Sequence, residues 1–201
     1  MCADTAPAPT PADAAALAAR GLAVFPLPPG GRRPAAPGWQ RQCLTDPAAV
    51  LRTWPAGANI GVGCRASRIV GLDLDGDGAA SLADLVDAHG ADRTAALDTL
   101  TVCTPSGGRH LYYRVPQRCT IASSSGTEAP LGPGIDVRGP GVRSGGYLIG
   151  PGSRVAGTAY AVTLDRPIRP LPGWLAQRLT GTRPGGPAPR RPGRAAEPRK
   201  G

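Results

Sequence analysis

The sequence predicts an α+β fold in which a mixed or antiparallel sheet is flanked by helices. Short apolar runs rich in β-branched residues recur along the chain, separated by stretches rich in glycine and proline. Only a few stretches have the periodicity of an amphipathic helix. At 201 residues the chain has the length of one domain with a substantial core.

The first part of the chain is predicted to contain two helices and two strands. Thr10-Pro-Ala-Asp13 is typical of a helix start, with a threonine N-cap, an early proline and an acid near the positive helix end. Gly21 is a natural stop for that helix. A strand over 22–26 follows, then a short helix over 45–54 and a strand over 59–63.

The rest of the chain is predicted to be mainly strands. Residues 79–89 have an amphipathic pattern, with Leu82, Leu85 and Val86 on one side, which predicts a helix. A closing helix is predicted over 174–179. The remaining predicted strands are 68–74, 100–103, 110–115, 134–138, 145–150 and 159–163.

The two ends of the chain differ in composition from its centre. Residues 1–9 are rich in alanine and proline, and residues 181–201 are rich in proline, glycine and arginine. Such sequences bury too little apolar surface to offset the entropy of folding. We therefore predict a disordered leader over 1–9, one folded domain over 10–180 and a disordered basic tail over 181–201.

The net charge and the spacing of the cysteines favour some classes of protein over others. The net charge is +9 and is carried almost wholly by arginine, with much of the excess in the tail after Arg183. This favours a polyanionic partner. The five cysteines contain no C-x-x-C pair, which argues against a zinc knuckle. The sequence has neither the pattern of a signal peptide nor an apolar stretch of membrane-spanning length, so we expect a soluble cytoplasmic protein without membrane contact.

Two carboxylates end the apolar run over 68–74. Side chains two positions apart on a strand point to the same face, roughly 7 Å apart, so Asp73 and Asp75 share a face while Leu72 and Leu74 point to the other. Paired carboxylates beside a core are costly unless a positive charge lies between them. A hard divalent metal ion is the usual solution.

A third acid and a glycine-rich turn extend this pattern. Asp136 lies among apolar residues of another predicted strand, and the turn Ser106-Gly107-Gly108-Arg109-His110 precedes a strand. Glycines let backbone N–H groups approach a phosphate, and Ser106 and Arg109 would add donors. His110 can donate to a phosphate oxygen or bind a metal. Together these residues predict a metal–nucleotide site.

Other interpretations of the acids remain open from the residues alone. An Asp-Gly-Asp-Gly surface turn explains Asp77 well but Asp73 poorly, because Asp73 is embedded in an apolar run. A calcium-binding loop is nearly matched, although a strand-like segment precedes it and its last position holds aspartate instead of glutamate. That match uses Asp73, Asp75, Asp77, Gly78 and Asp84.

The turn and the nearby arginines also have simpler interpretations. Ser-Gly-Gly is an ordinary hairpin turn, and a lone histidine at a strand start is more often structural. Arg138 and Arg143 are positioned to hold phosphates, but Arg143 fits a solvated loop equally well. Among the few aromatic residues, only Tyr112, Tyr113 and Tyr147 are candidates for stacking on the bases of a nucleic acid.

The order of these motifs resembles a known family. Asp73-Leu-Asp75, then Thr104–His110, then Gly134–Gly139 and Gly145–Pro151 are similar to the bifunctional DNA primase/polymerase N-terminal (prim-pol) domain of the archaeo-eukaryotic primase superfamily. The resemblance runs from about Ala14 to Trp174. It implies an RRM-like sheet joined to a second α/β unit, with the active site between them.

The resemblance also implies roles. Asp73, Asp75 and Asp136 would bind two Mg²⁺ or Mn²⁺ ions, and His110 would contact the nucleotide phosphates, with Ser106 and Arg109 nearby. The reaction would be template-directed nucleotidyl transfer on a DNA template and primer, using nucleoside triphosphates. Because no helicase domain or zinc-binding stem is visible in the sequence, a separate helicase or replication protein is an expected partner. The alternative is a non-catalytic module that binds nucleic acid or nucleotides with the same cleft.

Overall fold

A computed structural model of the protein describes residues 7–126 and 129–181. Its helices are α1 Pro11–Ala19, α2 Pro47–Thr53, α3 Cys64–Ser67, α4 Gly78–Ala88, α5 Arg93–Leu97 and α6 Gly173–Thr180, with a 3-10 turn at Trp39–Gln42. Its strands are β1 Val24–Leu27, β2 Asn59–Gly63, β3 Ile69–Leu74, β4 Thr101–Cys103, β5 Arg109–Arg114, β6 Ile135–Arg138, β7 Tyr147–Ile149, β8 Arg154–Val155, β9 Thr158–Ala159, β10 Ala161–Leu164 and β11 Arg169–Pro170.

The strands form two main sheets. The small sheet has the order β1-β2-β7, and the large sheet has the order β10-β4-β5-β3-β6. Neighbours in these orders are antiparallel, whereas β11 adds a parallel pair beside β5. Strands β8 and β9 form a separate antiparallel pair. The predicted α+β fold with a mixed sheet is confirmed.

Local sequence explains where the first two helices begin. Thr10 and Asp13 form a reciprocal capping box, in which each side chain accepts a hydrogen bond from the other residue's backbone N–H. Helix α2 is capped by Asp46, one residue later than the predicted start at Thr45, because its carboxylate accepts hydrogen bonds from the N–H groups of Ala48 and Ala49.

The large sheet separates two hydrophobic cores. Val70, Leu72 and Leu74 of β3 face one core, which α4 and α6 cover with residues such as Leu82 and Leu175. The opposite face packs on the small sheet and α1, in a core that includes Ile69 and Tyr112 of the large sheet and Phe25, Ile60 and Leu17 of the covering elements. The polar side chains of β3 belong to this second face, beside the small sheet.

Gly71 allows the two sheets to approach closely next to Asp73. A Cβ atom at this position would lie 2.3 Å from Cδ1 of Leu148, which belongs to β7 of the small sheet. Gly71 and Asp73 are two positions apart on β3 and therefore share a face. The close contact at Gly71 places the small sheet beside Asp73 and creates a cleft between the sheets.

The structure adds elements that the sequence pattern did not predict. Helices α3 and α5 are too short to show a clear period. The segment between the predicted strands over 110–115 and 134–138 is partly ordered against the sheet, because Ser124 and Val137 exchange backbone hydrogen bonds of 2.9 and 3.0 Å. The predicted leader up to residue 6 and the tail from residue 182 lie outside the described residues.

Within the described part of the chain, no helix has the length and apolar character needed to cross a bilayer.

Candidate active site

The register of the large sheet brings three distant residues side by side. Asp73 on β3 lies directly opposite His110 on β5 and, on its other side, directly opposite Asp136 on β6. Directly opposed residues of antiparallel strands share a face, with Cβ atoms about 5 Å apart. His110, Asp73 and Asp136 therefore form a row across three adjacent strands, hereafter the polar row.

The side chains of the polar row are held by direct contacts. His110 Nε2 lies 3.1 Å from Asp73 Oδ1. Arg138 lies between the two acids, with Nη2 at 2.9 Å from Asp136 Oδ2 and 3.4 Å from Asp73 Oδ2. The backbone N–H of Gly126 donates to Asp136 Oδ1 at 3.1 Å. One guanidinium thus bridges two carboxylates that would otherwise repel each other.

Asp73 is ionised at neutral pH in spite of its burial. Its side chain is only 17% exposed, and burial alone would raise the pKa. The hydrogen bond and charge of His110, together with the guanidinium of Arg138, outweigh burial and hold the pKa of Asp73 below its usual value. The row therefore presents a fixed negative charge beneath the small sheet.

Asp75 follows β3 directly and lies against the glycine turn. Ser106 Oγ is 3.5 Å from Asp75 Oδ1 and 2.9 Å from Thr104 Oγ1. A Cβ atom at Gly108 would lie 2.7 Å from Asp75 Oδ1 and 2.4 Å from the carbonyl oxygen of Leu74. Glycine is required at 108 so that the turn can pack on the strand that carries Asp75.

A cleft of about 470 Å³ lies over this region, between the two sheets. It is mixed in charge and polarity, with acids, arginines, hydroxyl groups and two tyrosines in its wall. Its lining residues are Arg32, Asp73, Asp75, Thr104, Ser106, His110, Ser123, Arg138, Gly146, Tyr147, Leu148, Ile149 and Tyr160. A volume of this size is typical of a small-molecule site.

The structure brings together most of the predicted site residues, but not all. Asp73, Asp75, Ser106, His110 and Arg138 line the cleft, and Asp136 joins them through Arg138 and the polar row. Gly108 packs beneath Asp75, next to the cleft.

Other predicted residues lie elsewhere. Arg109 precedes His110 on β5, so alternation along the strand sends it to the opposite face, where it lines a different cavity with Leu82 and Leu111. Gly107 also lines that second cavity. Arg143 lies in a third cavity, on the far side of the segment that carries Tyr147. Arg109, Gly107 and Arg143 are therefore not part of the cleft.

Sequence reasoning missed several cleft residues. Arg32 reaches the cleft from the loop after β1. The hydroxyl of Tyr147, a predicted stacking candidate that begins β7, donates to the carbonyl oxygen of Arg32 at 3.0 Å. Tyr160 packs near His110, with ring centroids 5.4 Å apart. The position of Thr104 beside the Ser-Gly-Gly turn could have suggested a role for its hydroxyl, but nothing in the local sequence marks Ser123 or Tyr160. Of the stacking candidates, Tyr112 and Tyr113 are buried in the cores.

The calcium-loop interpretation is wrong. Asp73 belongs to β3, and helix α4 begins at Gly78, so the segment passes directly from strand to helix without a twelve-residue loop. Asp84 lies on the exposed side of α4. The end of this segment cannot return to coordinate an ion held by its beginning.

The donor chemistry of the site fits a hard divalent cation. Carboxylate oxygens are the preferred ligands of Mg²⁺ and Mn²⁺. Arg138 already lies between Asp73 and Asp136, which shows that this position favours positive charge. Among the described residues, no three His, Cys, Asp or Glu side chains are arranged as a metal-binding group. An ion held by Asp73 and Asp136 would have to replace Arg138 between them.

Comparison with known families identifies the domain. A family model described as bifunctional DNA primase/polymerase, N-terminal (Prim-Pol), matches residues 14–174, which is most of the chain. The chain belongs to the Prim-Pol family. The match includes the whole polar row and every residue of the cleft, so the resemblance seen in the ordered motifs is confirmed. A search of curated proteins finds no match to this Prim-Pol domain.

Proposed function

We propose that this Prim-Pol domain is a DNA primase/polymerase core that catalyses template-directed nucleotidyl transfer. The proposal rests on the polar row, in which Asp73 is flanked by His110 and Asp136. Asp73 and His110 line a cleft that Asp75 also lines, and Asp136 is joined to it through Arg138. A purely structural site has little use for three acids beside one cleft, since each costs free energy to desolvate.

The acids are the proposed metal ligands. Asp73, Asp75 and Asp136 would hold Mg²⁺ or Mn²⁺, which when bound lowers the pKa of a primer 3′-hydroxyl and balances negative charge at the reacting phosphorus. His110 fixes the carboxylate of Asp73 through Nε2, and Arg138 keeps the two neighbouring carboxylates together. The register of β3 and β6 holds Asp73 and Asp136 side by side on a rigid sheet, and an ion between them would take the place of Arg138.

The incoming nucleoside triphosphate is the proposed occupant of the cleft. Arg32 and Arg138 supply positive charge, and the hydroxyls of Thr104, Ser106 and Ser123 supply hydrogen-bond donors for phosphate oxygens. The Nδ1 atom of His110 is buried and has no hydrogen-bond partner among the described residues. A protonated His110 would use that atom to donate to a phosphate oxygen.

A primer-extension assay tests the proposal. With a primed DNA template, deoxynucleoside triphosphates and Mn²⁺ or Mg²⁺, the wild-type protein should extend the primer. Asp73→Asn and Asp136→Asn should each reduce extension by at least about 100-fold, because the amide keeps the shape and removes the charge. Asp84→Asn is the matched control, since this exposed acid on α4 lies outside the cleft. Extension that survives both Asp73→Asn and Asp136→Asn would refute the proposal.

A non-catalytic binding module is the second candidate. The bridging of Asp73 and Asp136 by Arg138 favours it, because this guanidinium partly neutralises the acids without any metal ion. Such a module should bind nucleotides or DNA equally well with Mn²⁺ and with EDTA, and should incorporate no nucleotide. Metal-dependent incorporation excludes this candidate.

A further inference from the structure

A second basic site lies outside the cleft. A cavity of about 580 Å³ is lined by Arg41, Arg65, Arg68 and Arg143, hereafter the arginine cavity. The four arginines come from the 3-10 turn, helix α3, its C-cap and the loop before β7, so the fold gathers them from separate segments. No aspartate or glutamate is among the described residues that line it.

The positive charge of this cavity is not neutralised. None of its four arginines forms an ion pair with an acid in the described part of the chain, whereas Arg20 pairs with Asp165 and Arg93 with Asp87. All four are exposed. The cavity therefore carries about four positive charges that are available to a ligand.

Arg65 is held in place without loss of its charge. Its Nη1 donates to the carbonyl oxygens of Gly141 and Val142, both at 2.8 Å. Carbonyl acceptors orient a guanidinium but do not neutralise it, and its remaining donors stay available. The loop that carries Arg143 is thereby tied to helix α3.

Arg68 occupies a backbone conformation that favours glycine. Its φ of 53° and ψ of 54° place it in the left-handed region, and its carbonyl oxygen accepts a hydrogen bond of 3.0 Å from Val115. The chain uses glycine at nearly all of its other positive-φ positions. A non-glycine residue costs of order 1 kcal/mol in such a conformation. The presence of arginine in spite of this cost indicates that its side chain has a function.

The arginine cavity and the cleft share a wall. Gly145 lines the cavity, while the next two residues, Gly146 and Tyr147, line the cleft. Trp39 lines the cavity and packs edge-on against Tyr147, with ring centroids 5.1 Å apart. A chain of phosphates held in the cavity can therefore continue over this wall into the cleft.

We propose that the arginine cavity binds the phosphate backbone of single-stranded nucleic acid and leads that strand to the cleft. This inference rests on the proposed polymerase function, because that function makes the cleft the place where the strand is copied. Several unpaired arginines beside a partly exposed tryptophan suit a strand, which offers repeated phosphates and a base that can stack.

Binding of a fluorescein-labelled single-stranded DNA twelve-mer, measured by anisotropy in EDTA without nucleotides, tests this proposal. Arg41→Gln combined with Arg143→Gln should weaken binding at least tenfold. It should also flatten the plot of log affinity against log salt by about 0.7 for each lost phosphate contact. Arg52→Gln combined with Arg166→Gln is the charge-matched control, because both are exposed and neither lines the cavity or the cleft. The arginines after Arg183 are the same in every variant, so their contribution to DNA binding does not differ between the variants.

The outcomes separate this proposal from the polymerase function. Equal weakening by the two pairs of substitutions would show a general charge effect and overturn the proposal. Arg68→Asn gives a second test, since asparagine tolerates the left-handed conformation, and it should also weaken binding. If the protein never extends a primer but the cavity variants alone lose DNA, the polymerase proposal fails while the arginine cavity stands.

Discussion

Arg138 is the residue on which the behaviour of the polar row depends most. Its guanidinium contacts Asp136 and Asp73, the same carboxylates that are proposed to hold a metal ion. Arginine and metal ion therefore compete for one pair of acids. An ion bound by these acids would displace Arg138 toward the cleft that it already lines, where its guanidinium could pair with phosphate.

Removing Arg138 should strengthen metal binding in the absence of nucleotide. We expect Arg138→Gln to bind Mn²⁺ about fivefold more tightly, corresponding to roughly 1 kcal/mol, because a competing positive charge is lost. The measurement is a Mn²⁺ titration followed by the electron paramagnetic resonance of the free ion. Arg143→Gln is the control, since it removes the same charge from the other cavity. Unchanged or weaker binding by Arg138→Gln would contradict the competition.

The ionisation of Asp73 gives a pH dependence to stability. Its pKa is lowered in the folded protein, so its charged form adds stability that is fully present above the usual value of 3.8. That stability is lost as the pH falls below 3.8 through the folded-state pKa. Urea unfolding in EDTA should show wild type more stable than Asp73→Asn near neutral pH. The gap should shrink as the pH drops below 3.8, and a constant gap would contradict this assignment.

At the scale of elements, two glycines fix the connection that carries Asp75. The backbone N–H of Asp75 donates to the carbonyl oxygen of Gly134 at 2.9 Å, just before β6. A Cβ atom at Gly78 would lie 2.0 Å from that same carbonyl oxygen. The start of α4, the end of β3 and the start of β6 therefore meet at backbone-to-backbone contact, which leaves no room for a side chain.

Gly78→Ala should consequently destabilise the protein and displace Asp75. We expect a loss of about 1–3 kcal/mol in the free energy of unfolding, because backbone atoms must move to admit the methyl group. Gly173→Ala is the matched control: a Cβ atom there meets nothing within 4 Å, and the residue starts α6. Chemical denaturation measures both variants. Equal stability of the two would show that the contact at Gly78 is not rigid.

The helices and strands also show which features of the fold could be predicted from the sequence. The capping box of α1, the strand over 59–63 and the alternation in β3 were all predictable, because each depends on local sequence. The pairing of Asp73 with His110 and Asp136 was predictable only as a hypothesis, since register depends on strands far apart in the chain. Arg109 was misplaced because its position beside His110 in the sequence puts it on the other face of β5.

In the molecule taken as a whole, the cleft exists only because the two sheets meet. The large sheet supplies the polar row, and the loops and strands around the small sheet supply Arg32 and Tyr147. No local pattern predicts such a meeting of distant segments, and the arginine cavity on the other side of Tyr147 was equally hidden. The family resemblance predicted the acids but not the surfaces that surround them.

Asp73, Asp75 and Asp136 are proposed to act as one cation site. Mn²⁺ titration of the wild-type protein and of Asp73→Asn, Asp75→Asn and Asp136→Asn tests it most directly, with Asp84→Asn as the control. We predict that Asp73→Asn, Asp75→Asn and Asp136→Asn each weaken Mn²⁺ binding at least tenfold, while Asp84→Asn has no effect. Binding that is unaffected by Asp136→Asn, or that is lost equally with Asp84→Asn, would show that these three acids do not form one cation site.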